Sequence, residues 1–239
     1  MPLLVGRTVS RDLGRNRPLA RGRYGQVSVV KFRGCHVAMK EFSTTEEVSW
    51  KREVAIYSIP RLRHDNVLGF IAADIRGSQG VTKMLLLTDF HERGSLFDYL
   101  SSNSPDRATA LRLMLTTACG LQHLHTEFVG MQSKPAVAHR DLKSKNILVK
   151  NDLSCCIADF GLSVTYESTK KAVDTGELQA DNIRVGTKRY MAPEVLDGSM
   201  AIEDFESYKR ADVYALSLVL WEIMRRVSDG QSHLFLFSS

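Results

Sequence analysis

Ala138-His139-Arg140-Asp141-Leu142-Lys143-Ser144-Lys145-Asn146 is the stretch whose reading decides the fold. It spells H-R-D-L-K-x-x-N, a string in which an acid, a lysine and an amide stand at fixed spacing. The alternative is a basic surface loop with a chance Asp, and a motif is a hypothesis until its context appears. Working outward, the context is there. Asp159-Phe160-Gly161 follows the strand-like Cys155-Cys156-Ile157-Ala158, and Ala192-Pro193-Glu194 comes a further stretch downstream. Upstream, Val37-Ala38-Met39-Lys40 reads as a strand ending on a lysine, and Gly22 and Gly25 lie in Ala20-Arg21-Gly22-Arg23-Tyr24-Gly25-Gln26-Val27.

This set of motifs resembles the protein kinases. Phosphoryl transfer to a hydroxyl asks a protein for positioning and charge more than for covalent chemistry. The resemblance implies that Asp141 accepts the hydroxyl proton and that Lys143 neutralises charge on the moving phosphate. Asn146 and Asp159 would be the metal ligands, Lys40 would contact the α- and β-phosphates, and Thr187 would bridge Asp141 and Lys143. Nucleotide contacts are expected from Gly22, Gly25, Val27, Ala38, Lys40, Asp89, His91 and Leu148. The implied cofactors are ATP and Mg²⁺, or Mn²⁺ in its place. The first glycine of the G-x-G-x-x-G-x-V loop is Ala20, which adds a methyl where backbone approaches phosphate.

Composition narrows the class. The chain has 239 residues, enough for one large domain or two lobes, and a net charge of +5 carried by scattered basic residues. That scatter does not suggest nucleic-acid binding. Four cysteines, two of them adjacent, make neither a disulfide framework nor a zinc pattern, so reduced thiols are expected. No apolar run approaches the roughly 20 residues of a membrane span. Met1-Pro2-Leu3-Leu4-Val5 is too short for a signal peptide.

Along the chain, residues 1–19 are weakly patterned, and Pro18 argues against a strand interior. Thr44 and Glu47 read as a capping box. Behind them Trp50, Val54 and Tyr57 fall on one helical face. Glu53 lies on that same side, and an inward charge needs a partner; Lys40 is the expected one. Val67–Ala72 and Met84–Thr88 read as two short strands joined by a polar loop, Asp74–Lys83. The second leads into Asp89-Phe90-His91-Glu92, a hinge whose backbone would pair with adenine. Between Thr109 and His125, the residues Leu111, Met114, Leu115, Ala118, Leu121 and His125 trace one face, expected to be core. Residues 165–182 are polar, poorly patterned and expected to be mobile. Asp212–Arg226 is apolar on nearly every face, so it should be wrapped on all sides.

The longer strings narrow the resemblance. Residues 134–150, Gly186-Thr187-Lys188-Arg189-Tyr190-Met191-Ala192-Pro193-Glu194-Val195-Leu196-Asp197 and Lys209-Arg210-Ala211-Asp212 resemble the type I receptors of the transforming growth factor beta family. So do residues 63–72, and Gly94-Ser95-Leu96-Phe97-Asp98-Tyr99-Leu100 points to the activin and transforming growth factor beta branch. The resemblance implies an α+β, two-lobed protein-kinase fold: a five-stranded small lobe over residues 1–89, a partial helical large lobe over 90–226 and an unrelated tail over 227–239. It implies serine/threonine phosphorylation, with Smad proteins as substrates and the type II receptor and an immunophilin as partners, at the cytoplasmic face of the plasma membrane. The Asp74–Lys83 loop matches the position that selects among Smads, although Ile75-Arg76-Gly77-Ser78-Gln79-Gly80 departs from the usual string. Phe160 stands where this family usually has Leu. Because the family's large lobe continues past Arg226 and supplies a partner for Glu194, this chain on its own is expected to be marginally folded, prone to aggregate and nearly inactive. The rival to an active kinase is therefore a fragment that competes in binding, or an unstable splice product.

Overall fold

The computed structural model describes residues 17–22, 25–78, 81–176 and 185–228. The N-terminal Met1-Pro2-Leu3-Leu4-Val5, the tip of the glycine loop at 23–24, Gln79-Gly80, the middle of the activation segment at 177–184 and the tail Leu234-Phe235-Leu236-Phe237 lie outside the described residues.

Five antiparallel strands form the first layer: β1 (Arg17–Gly22), β2 (Gly25–Phe32), β3 (Cys35–Phe42), β4 (Phe70–Ser78) and β5 (Val81–Asp89), in the order β1-β2-β3-β5-β4. Pro18 is tolerated because β1 is an edge strand, and the β1–β2 register shifts between Pro18 and Ala20. The two faces of the sheet bury different things. Val30, Phe32, Val37, Met39, Leu85 and Leu87 close one face as a small cluster. The other carries Phe42, Met84 and Leu86 into the main core. Lys40 pairs with Val27 and with Leu86, and Ala38 with Val29 and Thr88. Cross-strand partners share a face, so Val27, Ala38 and Lys40 all look toward the helical layer.

Helix α1 (Glu47–Tyr57) packs there, with Trp50, Glu53, Val54 and Tyr57 buried as its periodicity requires. The indole of Trp50 donates to the Leu85 carbonyl at 3.1 Å. The capping box is one residue earlier than expected. Ser43 and Glu46 make it, and a single 3-10 turn over Thr44–Glu46 precedes the helix. Ser43 and Thr44 are both competent caps, and the tighter turn after β3 selects the first.

The polar loop expected between β4 and β5 is corrected to strand. Ladder pairing continues through Asp74↔Leu85, Arg76↔Lys83 and Ser78↔Val81. Backbone pairing does not need apolar side chains when a hairpin runs out beyond the core, so the polar sequence hid the extension. Val67 lies before β4 and makes a parallel bridge to Ile157 instead.

The helical layer begins with α2 (Leu96–Ser102) and α3 (Arg107–His125). Ser95 and Asp106 cap them through the amides of Asp98 and Thr109. The expected inner face of α3 is corrected. Leu111 and Leu115 are 63% and 64% exposed, and Ala110, Leu113, Thr117, Gly120, Leu121 and Leu124 are buried. Gly120 allows the close approach, since a Cβ there would run into the carbonyl of Asn66.

Short strands carry the catalytic stretch: β6 (Ala136–Ala138), β7 (Ile147–Val149), β8 (Cys155–Ile157), β9 (Val164–Glu167) and β10 (Ala172–Asp174). β9 pairs with both β6 and β10, and β7 pairs with β8. Residues 165–174, expected to be poorly patterned, thus include a hairpin. Helix α4 (Pro193–Asp197) ends on Gly198, and α5 (Phe205–Met224) completes the chain's described helices. Of the nearly all-apolar α5, Asp212, Ala215, Val219 and Ile223 face inward, and Val213, Trp221 and Met224 are exposed. The helices and the sheet together make the expected α+β, two-lobed architecture.

Candidate active site

Lys40 comes from β3 and Glu53 from the inward face of α1. Lys40 Nζ lies 2.9 Å from Glu53 Oε2 and 2.9 Å from Asp159 Oδ1, so one ammonium closes a triangle with two carboxylates. Burial alone would lower the Lys40 pKa, but Asp159 and Glu53 outweigh it and hold it above the ordinary lysine value. Burial opposes the charge on Asp159 as well, and there Lys40 wins and holds the carboxyl below its usual range. Glu53 is the deeper of the two acids, and burial raises it despite Lys40. Asp159 has φ of 68°, a left-handed conformation that turns its carboxylate toward Lys40 while the next residue points inward. That residue, Phe160, is fully buried, edge-on to Tyr57 at 5.1 Å, and Tyr57 in turn stacks on Phe70 at 5.4 Å. The aromatic stack ties α1, β4 and the Asp159 turn together.

The second cluster sits in the loop after β6. Lys143 Nζ donates to Asp141 Oδ2 at 2.6 Å and to Thr187 Oγ1 at 2.8 Å, and Thr187 Oγ1 donates to Asp141 Oδ1 at 2.9 Å. Thr187 reaches Asp141 because Gly186 takes φ of 112°. A side chain there would be strained, and its Cβ would stand 2.8 Å from the Arg140 carbonyl. Asn146 Nδ2 donates to the Asp141 carbonyl at 2.9 Å, which leaves the amide oxygen to accept or to ligate.

The remaining residues expected at a nucleotide are spread around the same face. Gly22 pairs with Gly25 at the β1–β2 end, and Val27 and Ala38 flank Lys40 on the sheet. Asp89 ends β5, with its amide donating to the Gly69 carbonyl at 2.9 Å, and His91 follows it. Burial lowers the His91 pKa. Leu148, in β7, packs against Leu68, Cys156 and Ala158.

Asp212 was missed as part of this assembly. Its carboxylate is fully buried and accepts from the amides of His139 at 2.7 Å and Arg140 at 2.9 Å. His125 Nε2 lies 2.9 Å from it. Arg140 has φ of 68°, a conformation costing on the order of 1–3 kcal/mol for a non-glycine residue. The two amide bonds to Asp212 hold it there. The signal was an acid directly before the mostly apolar stretch 213–221 of α5. Tyr190 and Glu222 were missed too: the Tyr190 hydroxyl donates to Glu222 Oε1 at 2.5 Å and lies 3.0 Å from Ser144 Oγ. Glu194, by contrast, has no ion pair among the described residues.

The donor set suits a hard cation that keeps phosphate oxygens among its ligands. Asp159 offers a second carboxylate oxygen with the side chain 26% exposed, and Asn146 offers its amide oxygen. Among the described residues no cluster of three or more His, Cys, Asp or Glu could hold a metal without a ligand's help.

A protein kinase domain model matches residues 13–231. TGF-beta receptor type-1 is 54% identical over 233 residues in both the rat and the human protein, covering 98% of this chain and 46% of each receptor. Human activin receptor type-1 is 50% identical over 231 residues, covering 96% of this chain and 45% of the receptor. The chain thus spans about half the length of the curated relatives it matches. With the motifs and the site geometry in agreement, the chain belongs to the protein kinase family, on the branch of the transforming growth factor beta type I receptors.

Proposed function

We propose that this chain transfers the γ-phosphate of ATP to serine or threonine hydroxyls of protein substrates, and that Smad proteins are its substrates as part of a type I receptor. The observation that carries the reading is Lys40 held at once by Glu53 and Asp159, 2.9 Å from each. A lysine so fixed is aimed at the phosphates and cannot swing into solvent. Asp141 accepts the proton of the attacking hydroxyl through a carboxylate oriented by Lys143, Thr187 and Asn146. Lys143 sits at the acceptor side, where its charge offsets the charge of the transferred group. When bound, Mg²⁺ or Mn²⁺ supplies charge neutralisation between phosphate oxygens; Asp159 and Asn146 would hold it. Gly22, Gly25, Val27, Ala38, Asp89, His91 and Leu148 would enclose the nucleotide. Pairing of Lys143 with Thr187 supports serine and threonine over tyrosine, because it fills space beside Asp141 that a phenol would need.

The β4–β5 hairpin, residues 74–78 and 81–83 of which are extended, is the surface that would select the Smad. The test is incubation of the chain, extended by the large-lobe remainder of its receptor relatives, with Mg-ATP and a Ser/Thr peptide, followed by phosphoamino-acid analysis. Phosphoserine or phosphothreonine is expected, and Asp141→Asn should remove the product while nucleotide binding persists. Phosphotyrosine as the main product would overturn the assignment.

A further inference from the structure

Lys134 takes no part in the site described above. Among the described residues it is nonetheless the one lysine or arginine with no exposure to solvent, at 0%. An unpaired cation there would be costly. Its ammonium has three protons to give, and three carbonyls accept from it: Thr126 at 2.6 Å, Pro135 at 3.0 Å and Leu124 at 3.1 Å. Leu124 and Thr126 belong to the last turn and the cap of α3. Carbonyls there have no partner within the helix, and the helix dipole favours a cation beside them. Nζ also stands 5.4 Å over the Phe128 ring. Burial lowers the Lys134 pKa to about 8 against the pull of Glu127, which leaves it charged at neutral pH. The main chain is held as well: Phe128 and Lys134 exchange amide–carbonyl bonds of 2.9 Å in both directions, and β6 begins two residues later. Beyond β6 the same turn of α3 takes hold again, through His125 and the Asp212 carboxylate that accepts from the His139 and Arg140 amides.

We propose that Lys134 is a positioning residue for Asp141. It plugs the open end of α3 and so fixes where β6 starts, while the His125–Asp212 contact fixes where the strand is left. Held on both sides, the stretch delivers Asp141 to the place where Lys143 and Thr187 each reach one of its carboxylate oxygens. Without the ammonium, the Leu124 and Thr126 carbonyls lose their donor and only one of the two anchors remains. The hydrogen bonds of Lys134 go to none of Lys40, Glu53 or Asp159, so nucleotide binding is spared. The role in catalysis rests on the kinase reading; the anchoring of β6 does not.

The unaltered chain gives the first test. In native-state hydrogen exchange over a series of urea concentrations, the amides of β6 and of residues 122–126 should open as one unit. Separate openings overturn the proposal. The second test uses Lys134→Met, which keeps the length and loses every donor, and Lys134→Gln, which keeps an amide donor on a shorter chain. In the chain extended as above, at neutral pH, Lys134→Met should lower kcat for the Ser/Thr peptide roughly ten- to a hundred-fold. KM for ATP should stay unchanged, and Lys134→Gln should lie between Lys134→Met and the parent. An unchanged kcat, or a loss shared equally by KM for ATP, overturns the positioning role. If a variant does not fold, exchange in the unaltered chain decides. If the extended parent phosphorylates no peptide, the kinase reading fails, and the exchange result alone decides whether Lys134 anchors β6.

Discussion

Asp159 and Asp212 stand at opposite sides of the catalytic stretch, and both are held below the ordinary carboxylate range, yet they are built differently. Asp159 shares Lys40 with Glu53 and keeps its side chain 26% exposed. Asp212 is closed to solvent and is held by two backbone amides and a histidine. The first arrangement is a group of charges that can be rearranged when new charges arrive. The second is fixed by the main chain itself, since both amides donate to the one carboxylate. The acid at the edge of the core is paired with side-chain charge; the acid inside it is paired with the main chain.

That contrast is broken most severely at Asp212. Asp212→Ala leaves the amides of His139 and Arg140 unsatisfied in the core, and a loss of about 3–5 kcal/mol is expected in urea or thermal unfolding. The sign of its pH dependence follows from the direction of its shift. Burial works against the charge, but the bond from His125 and the His139 amide outweigh it and lower the folded pKa. The stabilisation is complete above the unfolded value and is lost as pH falls below about 4, through the folded pKa. Asp212→Asn should lack that part of the acid limb; an acid limb identical to the parent's would show that the carboxylate is not what holds the loop.

At Asp159 the expectation reverses. Asp159→Asn leaves Lys40 paired with Glu53, so stability should change by no more than about 1 kcal/mol, in line with partly exposed pairs. The thermal shift produced by Mg-ATP should vanish, since that shift measures binding to the native state. A shift that survives would move the nucleotide elsewhere.

Tyr190→Phe removes one hydroxyl between Ser144 and Glu222 and should cost about 1 kcal/mol. Peptide turnover should fall further than stability does, because Ser144 and Tyr190 flank Lys143 and Thr187 on either side. Equal losses would make the bond purely structural.

The smallest effect is expected on the exposed side of α3. Leu115→Lys should stay within about 0.5 kcal/mol, because the side chain is 64% exposed. It should also reduce self-association measured by sedimentation, since exposed Leu111, Leu115, Trp221 and Met224 are apolar surface on α3 and α5. A large loss of stability would restore the face that periodicity suggested.

Much of the site was legible because it is written in local spacing. Lys40 at a strand end, Glu53 on the apolar side of a helix and the Asp141, Lys143, Asn146 run each carry their own signal, and the structure brings them together. What misled was spacing that fits twice. On α3, Leu111 and Leu115 satisfy helical periodicity as well as Ala110, Leu113, Thr117 and Leu124 do, and only the position of β8 and α5 chooses between them. On β4 and β5 the polar residues look like a loop, yet their main chain has a partner and no core to fill.

The sequence by itself determined the family, the α+β order of elements and the pairing of Lys40 with Glu53. These follow from residue type and spacing, which local physics reads directly. Only the tertiary structure decided that Asp212 anchors the main chain of His139 and Arg140 from 73 and 72 residues away. It alone decided that Lys134 meets the carbonyls of Leu124 and Thr126, and which face of α3 is inside. Each depends on where a distant backbone group comes to rest, and a carbonyl or an amide carries no side-chain signal by which a sequence could announce it.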